Sequence, residues 1–323
     1  MSAVSAADPR LRARRRSNWR RRRTVAALMA PWAIGFAVFF AYPLLASIYY
    51  SFTHYDLLSS PKWLGLRNYE YLFNSDPQIW TAVKNTLWLI VVMVPCQVLF
   101  ALGVALLLSR ARRGSGTLRT IFYLPALAPI VAATLGFVYL FNPATGPVNT
   151  VLSAFGIEGP LWLNGPSTAK PTLVLLSLWG VGNVLIIFLA AVLDVPRHLL
   201  ESAELDGAGP WRRFIHVTLP TISPVLLFAI VIGVIDALQY FTQAFVAASV
   251  AQGGQAGESV TALGYPQGST LFYPIYLYEQ AFTRFNMGYA SAMSVVMLIV
   301  ALSLTLLILR NSRRWVYYQG SAN

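Results

Sequence analysis

The sequence predicts an all-α protein that crosses a membrane about six times. Three observations lead to this fold class: a mean hydropathy of +0.57, a charged fraction of only 11%, and six apolar runs of bilayer length. A hydrocarbon core of about 30 Å needs about 20 apolar residues at 1.5 Å each. We expect the spans at Val25–Tyr50, Thr86–Ser109, Ile121–Phe141, Leu173–Leu193, Leu226–Val250 and Tyr289–Leu309.

The distribution of basic residues predicts the orientation of the chain. With the N-terminus inside, 19 of the 24 Lys and Arg fall in cytoplasmic segments. This positive-inside bias predicts a multi-pass protein of a prokaryotic plasma membrane with both termini in the cytoplasm. The nine arginines of residues 10–23 could instead form an RNA-binding arm or a twin-arginine export signal. The topology disfavours both alternatives, so we expect a lipid bilayer and no nucleic acid as a partner.

The domain organisation follows from these spans. Residues 1–23 form a basic cytoplasmic tail, residues 24–310 a transmembrane domain and residues 311–323 a second cytoplasmic tail. The three long outer loops are rich in Pro, Gly and aromatic residues, which predicts ordered structure where a soluble partner could dock. The single cysteine and the three histidines have no metal-ligand spacing, so we predict no metal site.

The cytoplasmic loop 194–224 has the pattern of two short amphipathic helices. Apolar residues recur at helical spacing from Val195 to Ala203, and Asp206-Gly207 provides a helix end. Gly209-Pro210 can begin the second helix. Such a pair could lie on lipid headgroups or fit a groove on another protein. Its three acidic residues favour the second alternative, because an anionic inner leaflet repels them.

The same loop resembles a motif of a known family. The run Glu201-Ser202-Ala203-Glu204-Leu205-Asp206-Gly207-Ala208, followed by Leu219-Pro220, resembles the E-A-A-x-x-D-G-A loop and later I-x-L-P of sugar permeases in binding-protein-dependent ABC importers. Further similar pieces are Ala41-Tyr42-Pro43, Gly65-Leu66-Arg67-Asn68-Tyr69, Asn85-Thr86, Trp179-Gly180 with Asn183, Tyr276, Ala281-Phe282 and Gly288-Tyr289-Ala290-Ser291-Ala292. The resemblance is to the maltose and glycerol-phosphate type of inner-membrane component and implies a type I ABC importer (MetI-like) architecture.

The resemblance also implies partners and coupling residues. In that family the loop helix inserts into a cleft on a cytoplasmic ATPase and transmits closure of the nucleotide sites to the membrane helices. It implies an ATPase dimer, a second permease that completes a heterodimer, and an extracytoplasmic solute-binding protein. The coupling positions that it implies are Glu201, Ala203, Asp206, Gly207 and Pro220.

ATP chemistry is expected in another chain. This sequence contains no G-x-x-x-x-G-K-[ST] phosphate loop, so ATP and Mg²⁺ would bind the ATPase. We therefore expect no catalytic residue and no cofactor in this chain, which is not predicted to be an enzyme. One departure from the family lies in the outer loop 251–286, which begins A-Q-G-G-Q where relatives have T-G-G-G-P.

Polar residues inside two spans predict a path for the solute. Asp236 lies about ten residues, or roughly 15 Å, into the fifth span, and Asn183 reaches a similar depth in the fourth. Carboxylate and amide groups can bond sugar hydroxyls while an aromatic face covers the apolar face of the ring. The six predicted pathway residues are Trp179, Asn183, Asp236, Gln239, Tyr240 and Gln243, the last four on one face of a continuous helix.

These features predict a permease that forms half of a pathway for a di- or oligosaccharide. Glycerol phosphate or another small solute is the alternative within the same importer class. The polar residues could also bond neighbouring helices and only hold the bundle together, although a midplane carboxylate usually marks a pathway. A stand-alone secondary transporter would have repeated halves, and a membrane enzyme would have a cluster of reactive groups near one interface. The sequence has neither.

Overall fold

A computed structural model describes residues 24–111, 114–253 and 264–317. The predicted basic tail 1–23 lies outside these residues, as do residues 254–263 of the outer loop and residues 318–323 of the second predicted tail. The described elements are α1 (Thr24–Tyr50), β1 (Thr53–His54), β2 (Lys62–Trp63), α2 (Arg67–Glu70), α3 (Ile79–Arg110), α4 (Ser115–Leu127), α5 (Ile130–Leu140), α6 (Pro147–Ala154), α7 (Ala169–Trp179), α8 (Gly182–Leu193), α9 (Arg197–Leu205), α10 (Pro210–Thr221), α11 (Ser223–Leu238), α12 (Thr242–Ala251), α13 (Tyr273–Tyr278) and α14 (Met287–Ser312). The antiparallel pair β1–β2 is the one sheet among them.

The predicted fold class, an all-α membrane protein, is confirmed. Helices α1, α3 and α14 are each long and apolar enough to cross a bilayer. The pairs α4–α5, α7–α8 and α10–α11 reach that length only together, because each is bent at a short break. The described chain therefore has three to six spans.

The third and fourth predicted spans are bent, and the prediction of one continuous helix through the fifth is wrong. Helices α4 and α5 meet at 99°, and α7 and α8 at 53°. Pro129 explains the first bend, since it disfavours helical geometry at Ala128, whose ψ is 135°. The predicted span Leu226–Val250 is two helices, α11 and α12, which are separated by Gln239–Phe241. Neither Gly nor Pro marks this break in the sequence.

Helix α3 is the centre of the core. Its 32 residues extend over about 48 Å and begin seven residues before the predicted second span. It packs against α8 and α11, and its residues Leu89, Ala101 and Ala105 are fully buried. A Cβ on Gly233 of α11 would lie 2.9 Å from Val94 Cγ1, so this crossing needs a residue without a side chain.

Segments 51–78 and 264–286 cover the ends of the helices opposite the 194–224 loop. We call them the outer cap, after the side of the membrane predicted for them from the sequence. Asn68 Nδ2 donates to the carbonyls of Ser51 and Thr53, each at 2.9 Å. Asn85 Nδ2 donates to Gly268 O at 2.8 Å and Leu271 O at 3.0 Å. Two pieces of the family resemblance thus supply hydrogen bonds, Asn68 within the outer cap and Asn85 between α3 and the cap.

Candidate functional site

A cavity of about 580 Å³ opens between α3, α5, α7, α8, α11 and α12. Its size is typical of a site for a small ligand. All six residues predicted from the sequence line it: Trp179, Asn183, Asp236, Gln239, Tyr240 and Gln243. The structure therefore brings together residues from two separate stretches of sequence that the pattern could only place at a similar depth.

Three helix breaks meet at this cavity. Ala128 lines it between α4 and α5, Gly180 between α7 and α8, and Gln239 between α11 and α12. Unpaired backbone groups at membrane depth are tolerated only where they are buried in protein or face a water-filled space. Discontinuous helices of this kind commonly supply solute sites in membrane transporters. The bends are therefore features of the cavity wall and not irregularities of the bundle.

Most of the polar side chains in the wall are free to contact a ligand. Asn183, Asp236 and Gln239 are exposed to the cavity, and none makes a side-chain hydrogen bond with another described residue. The same holds for Gln243, which is half-buried. The alternative in which these groups hold the bundle together predicts such bonds. Their absence among the described residues favours a role toward a ligand.

Tyr240 differs from the other five residues. It is buried, and its ring meets Phe272 edge-on with centroids 6.0 Å apart. Its hydroxyl lies 3.5 Å from Leu173 O, at the outer limit for a hydrogen bond. Helix α11 ends at Leu238, so Tyr240 does not lie on the same helical face as Asp236, contrary to the prediction from the sequence. It forms part of the wall, with its polar group directed toward protein.

Trp179 supplies an aromatic surface to the cavity. It is the last residue of α7, where the break at Gly180 leaves its ring 42% exposed. On its other side the ring contacts Phe137, with centroids 5.6 Å apart and planes tilted by 58°. A ring supported in this way offers an apolar face to a solute at low cost in side-chain entropy.

Gln97 is a wall residue that the sequence analysis missed. It lies on α3, half-buried, and its amide makes no hydrogen bond with another described residue. The signal was present, since an amide inside an apolar span is costly without a partner. Thr134 and Ser177 also line the cavity, but their hydroxyls donate to Ile130 O at 2.8 Å and Val174 O at 2.6 Å in their own helices.

The cavity wall has one carboxylate and no cation. Asp236 is the sole acidic side chain among the described lining residues, and no Lys or Arg is among them. Within the described part of the chain there is also no group of three or more His, Cys, Asp or Glu that could hold a metal ion. The wall is therefore suited to a neutral polar solute more than to an anion.

The 194–224 loop forms a second candidate surface. Helix α9 ends in a Schellman motif, in which Gly207 N–H donates to Glu204 O at 3.0 Å and Ala208 N–H to Ala203 O at 2.9 Å. Gly207 adopts a φ of 77°, and a Cβ there would meet no atom of the described chain within 4 Å. The turn is thus left-handed and open to an external partner.

An ion pair fixes the second helix of this loop relative to the first. Arg213 Nη1 of α10 donates to Glu204 Oε2 of α9 at 2.6 Å. Beside the turn, Leu205 is 89% exposed and Trp211 71% exposed. Large apolar side chains at such exposure are typical of a protein contact surface.

The predicted coupling residues occupy two places in this loop. Glu201 and Ala203 lie on α9, and Asp206 and Gly207 form the turn at its end. Pro220 lies at the other end of α10, half-buried, where its carbonyl accepts from Ser223 Oγ at 2.6 Å. The structure therefore groups four of the five at the open turn, whereas Pro220 is at the junction with α11.

Comparison with known proteins identifies the family of the chain and similar permease proteins. Residues 97–317 match the family described as "binding-protein-dependent transport system inner membrane component". The chain is 38% identical over 91% of its length to the probable ABC transporter permease protein YesP of Bacillus subtilis, covering 92% of that protein. It is 32% identical to the sulfoquinovosyl glycerol transport system permease protein SmoG of Agrobacterium fabrum, covering 88% of each chain.

A solved structure has the same fold. It is that of a bacterial ABC transporter involved in the import of the acidic polysaccharide alginate. The match has a TM-score of 0.78 at 25% identity and covers 93% of this chain and 99% of the other.

Proposed function

Because the chain belongs to the family of binding-protein-dependent transport system inner membrane components, we propose that it forms half of the translocation pathway of an ATP-driven sugar importer. The observation that carries the proposal is a cavity at which three helix breaks meet and whose wall holds polar side chains that have no hydrogen-bond partner among the described residues. A pathway requires polar groups that can exchange partners as a solute passes. Asn183, Asp236, Gln239 and Gln243 have that freedom among the described residues.

The proposed solute is a neutral di- or oligosaccharide. The carbohydrate class is supported by the names of two similar proteins, a sulfoquinovosyl glycerol transport permease and a transporter that imports the acidic polysaccharide alginate, and the neutral charge is argued from the wall of this chain. In this chain the wall combines hydrogen-bonding amides, one carboxylate and the exposed face of Trp179. Amides donate to and accept from hydroxyls, a carboxylate accepts from them, and the indole covers the apolar face of a pyranose ring.

Glycerol phosphate is the competing solute within the same class. A phosphate carries up to two negative charges and would be expected to meet Lys or Arg in its pathway. The described wall offers Asp236 and no cation, so it would repel a phosphate. A second permease would contribute the remainder of the wall, and this chain's half favours a neutral solute.

We propose further that the turn at Gly207 docks in a cytoplasmic ATPase, which carries the ATP and Mg²⁺. The exposed Leu205 and Trp211 support a protein contact at this turn. The ion pair between Glu204 and Arg213 would let α9 and α10 move together, so that displacement of the turn reaches α11 directly. Helix α11 carries Asp236, which connects the docking surface with the cavity wall.

Uptake by a deletion strain tests the proposed function. The strain would be complemented with the wild-type gene and given labelled neutral disaccharides, longer oligosaccharides, glycerol phosphate, amino acids and polyamines. Loss of one neutral sugar in the deletion strain, restored by the gene, is the expected result. Restoration of glycerol phosphate, an amino acid or a polyamine in place of a sugar would contradict the sugar assignment and leave the permease class intact.

A further inference from the structure

A second cavity, of about 570 Å³, lies at the ends of α3 and α8 beneath α9 and α10. It shares no lining residue with the cavity described above. Its wall contains three arginines, Arg110, Arg197 and Arg213, and no Asp or Glu among the described residues. We refer to it as the arginine cavity. Of its three arginines, the proposed transport function uses only Arg213, in the ion pair with Glu204.

The positive charge of the arginine cavity is largely uncompensated. The side chains of Arg110 and Arg197 make no hydrogen bond or ion pair with another described residue. Arg213 gives one of its five N–H donors to Glu204 and keeps the others. Three guanidinium groups around one space repel each other, and an anion bound between them would relieve that repulsion.

Apolar side chains adjoin the three arginines. Leu106 lies one helical turn before Arg110 on α3, and Val192 and Leu193 end α8. Leu193 is 52% exposed, although it is a large apolar residue. A small soluble anion could bind the arginines but would make no favourable contact with these apolar side chains. A molecule with an anionic head and a hydrocarbon chain could contact both parts at once.

We propose that the arginine cavity binds the phosphate headgroup of an anionic phospholipid from the inner leaflet, with part of an acyl chain against Leu106 and Leu193. The proposal rests on the predicted cytoplasmic position of α9 and α10. Basic pockets between membrane helices on that side are known to bind such headgroups. Because Arg213 also pairs with Glu204, a bound lipid would link the α9–α10 pair to the end of α3.

Native mass spectrometry of the chain, purified with the subunits that accompany it, tests the proposal. The probe is phosphatidylglycerol, offered in mixed micelles against phosphatidylcholine. The double variant Arg110→Gln/Arg197→Gln should lower retained phosphatidylglycerol roughly 30-fold. The matched control is Arg212→Gln/Arg314→Gln, because it also removes two positive charges, at exposed residues outside the arginine cavity. Arg110→Lys/Arg197→Lys should keep most of the lipid.

The outcomes separate a lipid from other occupants. Equal loss in the control and the double variant would indicate surface charge alone and overturn the site. No retained phosphatidylglycerol in the wild-type assembly would also overturn it and favour an acidic surface of a partner subunit. A thermal-shift measurement at constant ionic strength adds inorganic phosphate as a probe. If phosphate stabilises the assembly as much as phosphatidylglycerol does, the lipid assignment fails.

Discussion

Tyr276 Oη donates to both carboxylate oxygens of Asp76, at 2.9 and 2.7 Å, across 200 residues of sequence. Asp76 is 5% exposed and also accepts from Tyr289 Oη and from the N–H groups of Gln78 and Ile79. A buried carboxylate needs such donors to offset the loss of hydration. This one aspartate therefore joins the start of α3 to α13 in the outer cap and to the start of α14.

The Tyr276→Phe variant is expected to weaken the outer cap. It removes one donor to a buried charge and keeps the ring, so the free energy of unfolding should fall by about 1.5–3 kcal/mol. Thermal unfolding in detergent measures this as a lower midpoint. Tyr55→Phe is the matched control, because its ring stacks on Tyr50 and its hydroxyl has no hydrogen-bond partner among the described residues. Equal midpoints for the two variants would contradict the role of the bond.

The same bond predicts a dependence on alkaline pH. Burial, together with the hydrogen bond to Asp76, raises the pKa of Tyr276 above its ordinary value of about 10. A group whose pKa is raised in the folded state contributes its full stabilisation below its unfolded pKa and loses it as the pH rises through the folded value. The difference in stability between wild type and Tyr276→Phe should be constant below about pH 10 and decrease above it. A difference that already decreases between neutral pH and that value would contradict this assignment.

The residues that line the cavity could be predicted from the sequence, whereas the shape of the helices around it could not. Asp236 and Gln243 were recognised because polar side chains are costly at membrane depth. The break after Leu238 was not predicted, because no Gly or Pro lies there. The packing of Tyr240 on Phe272 depends on a distant segment of the chain. Local sequence does not record such tertiary contacts.

The outer cap shows the same limit. The pair Asn85-Thr86 was recognised as part of a family pattern, but the sequence did not show which groups these residues bind. In the structure Asn85 holds the loop carbonyls of Gly268 and Leu271, and Thr86 Oγ1 accepts from Tyr273 N–H at 2.8 Å. These partners are more than 180 residues apart in sequence, beyond the reach of any periodicity argument. The bends at Pro129 and Gly180, in contrast, had local signals in the sequence. They were not used because the spans were assigned only from the length of each apolar run.

The Gly207→Asp variant should uncouple ATP hydrolysis from transport. The side chain would project from the open turn into the proposed contact with the ATPase, and solute-stimulated hydrolysis in proteoliposomes should fall roughly tenfold or more. Gly156→Asp is the matched control. Gly156 has a φ of 73° and open surroundings like those of Gly207, but it follows α6, away from the 194–224 loop. Normal stimulation in Gly207→Asp, or an equal loss in Gly156→Asp, would refute the docking role.

The Asp236→Asn variant should reduce uptake of the solute without loss of assembly. A hydrogen bond to a charged group contributes about 1.5–3 kcal/mol, so the apparent KM is expected to rise roughly 10- to 100-fold. The measurement is concentration-dependent uptake, with co-purification of the partner subunits as a check on assembly. Asp194→Asn removes a carboxylate outside the cavity wall and should leave KM unchanged. Unchanged kinetics in Asp236→Asn would place Asp236 among the structural residues.

The Trp179→Ala variant should separate a sugar from a solute without an apolar face. Removal of the indole takes away a surface that covers a pyranose ring, and stacking of this kind contributes about 0.5–1.5 kcal/mol beyond burial. The apparent KM for a sugar should therefore rise roughly 3- to 10-fold or more. Trp179→Phe keeps a flat ring beside Phe137 and should restore most of the affinity.

The control for this experiment is Trp63→Ala, which removes an exposed indole from β2 in the outer cap. It should leave KM for the solute unchanged, because Trp63 does not line the cavity. If Trp179→Ala and Trp179→Phe both transport like wild type, the aromatic face makes no contact with the solute. The polar groups would then have to bind it alone, and a small hydrophilic solute would fit the cavity better than a sugar ring.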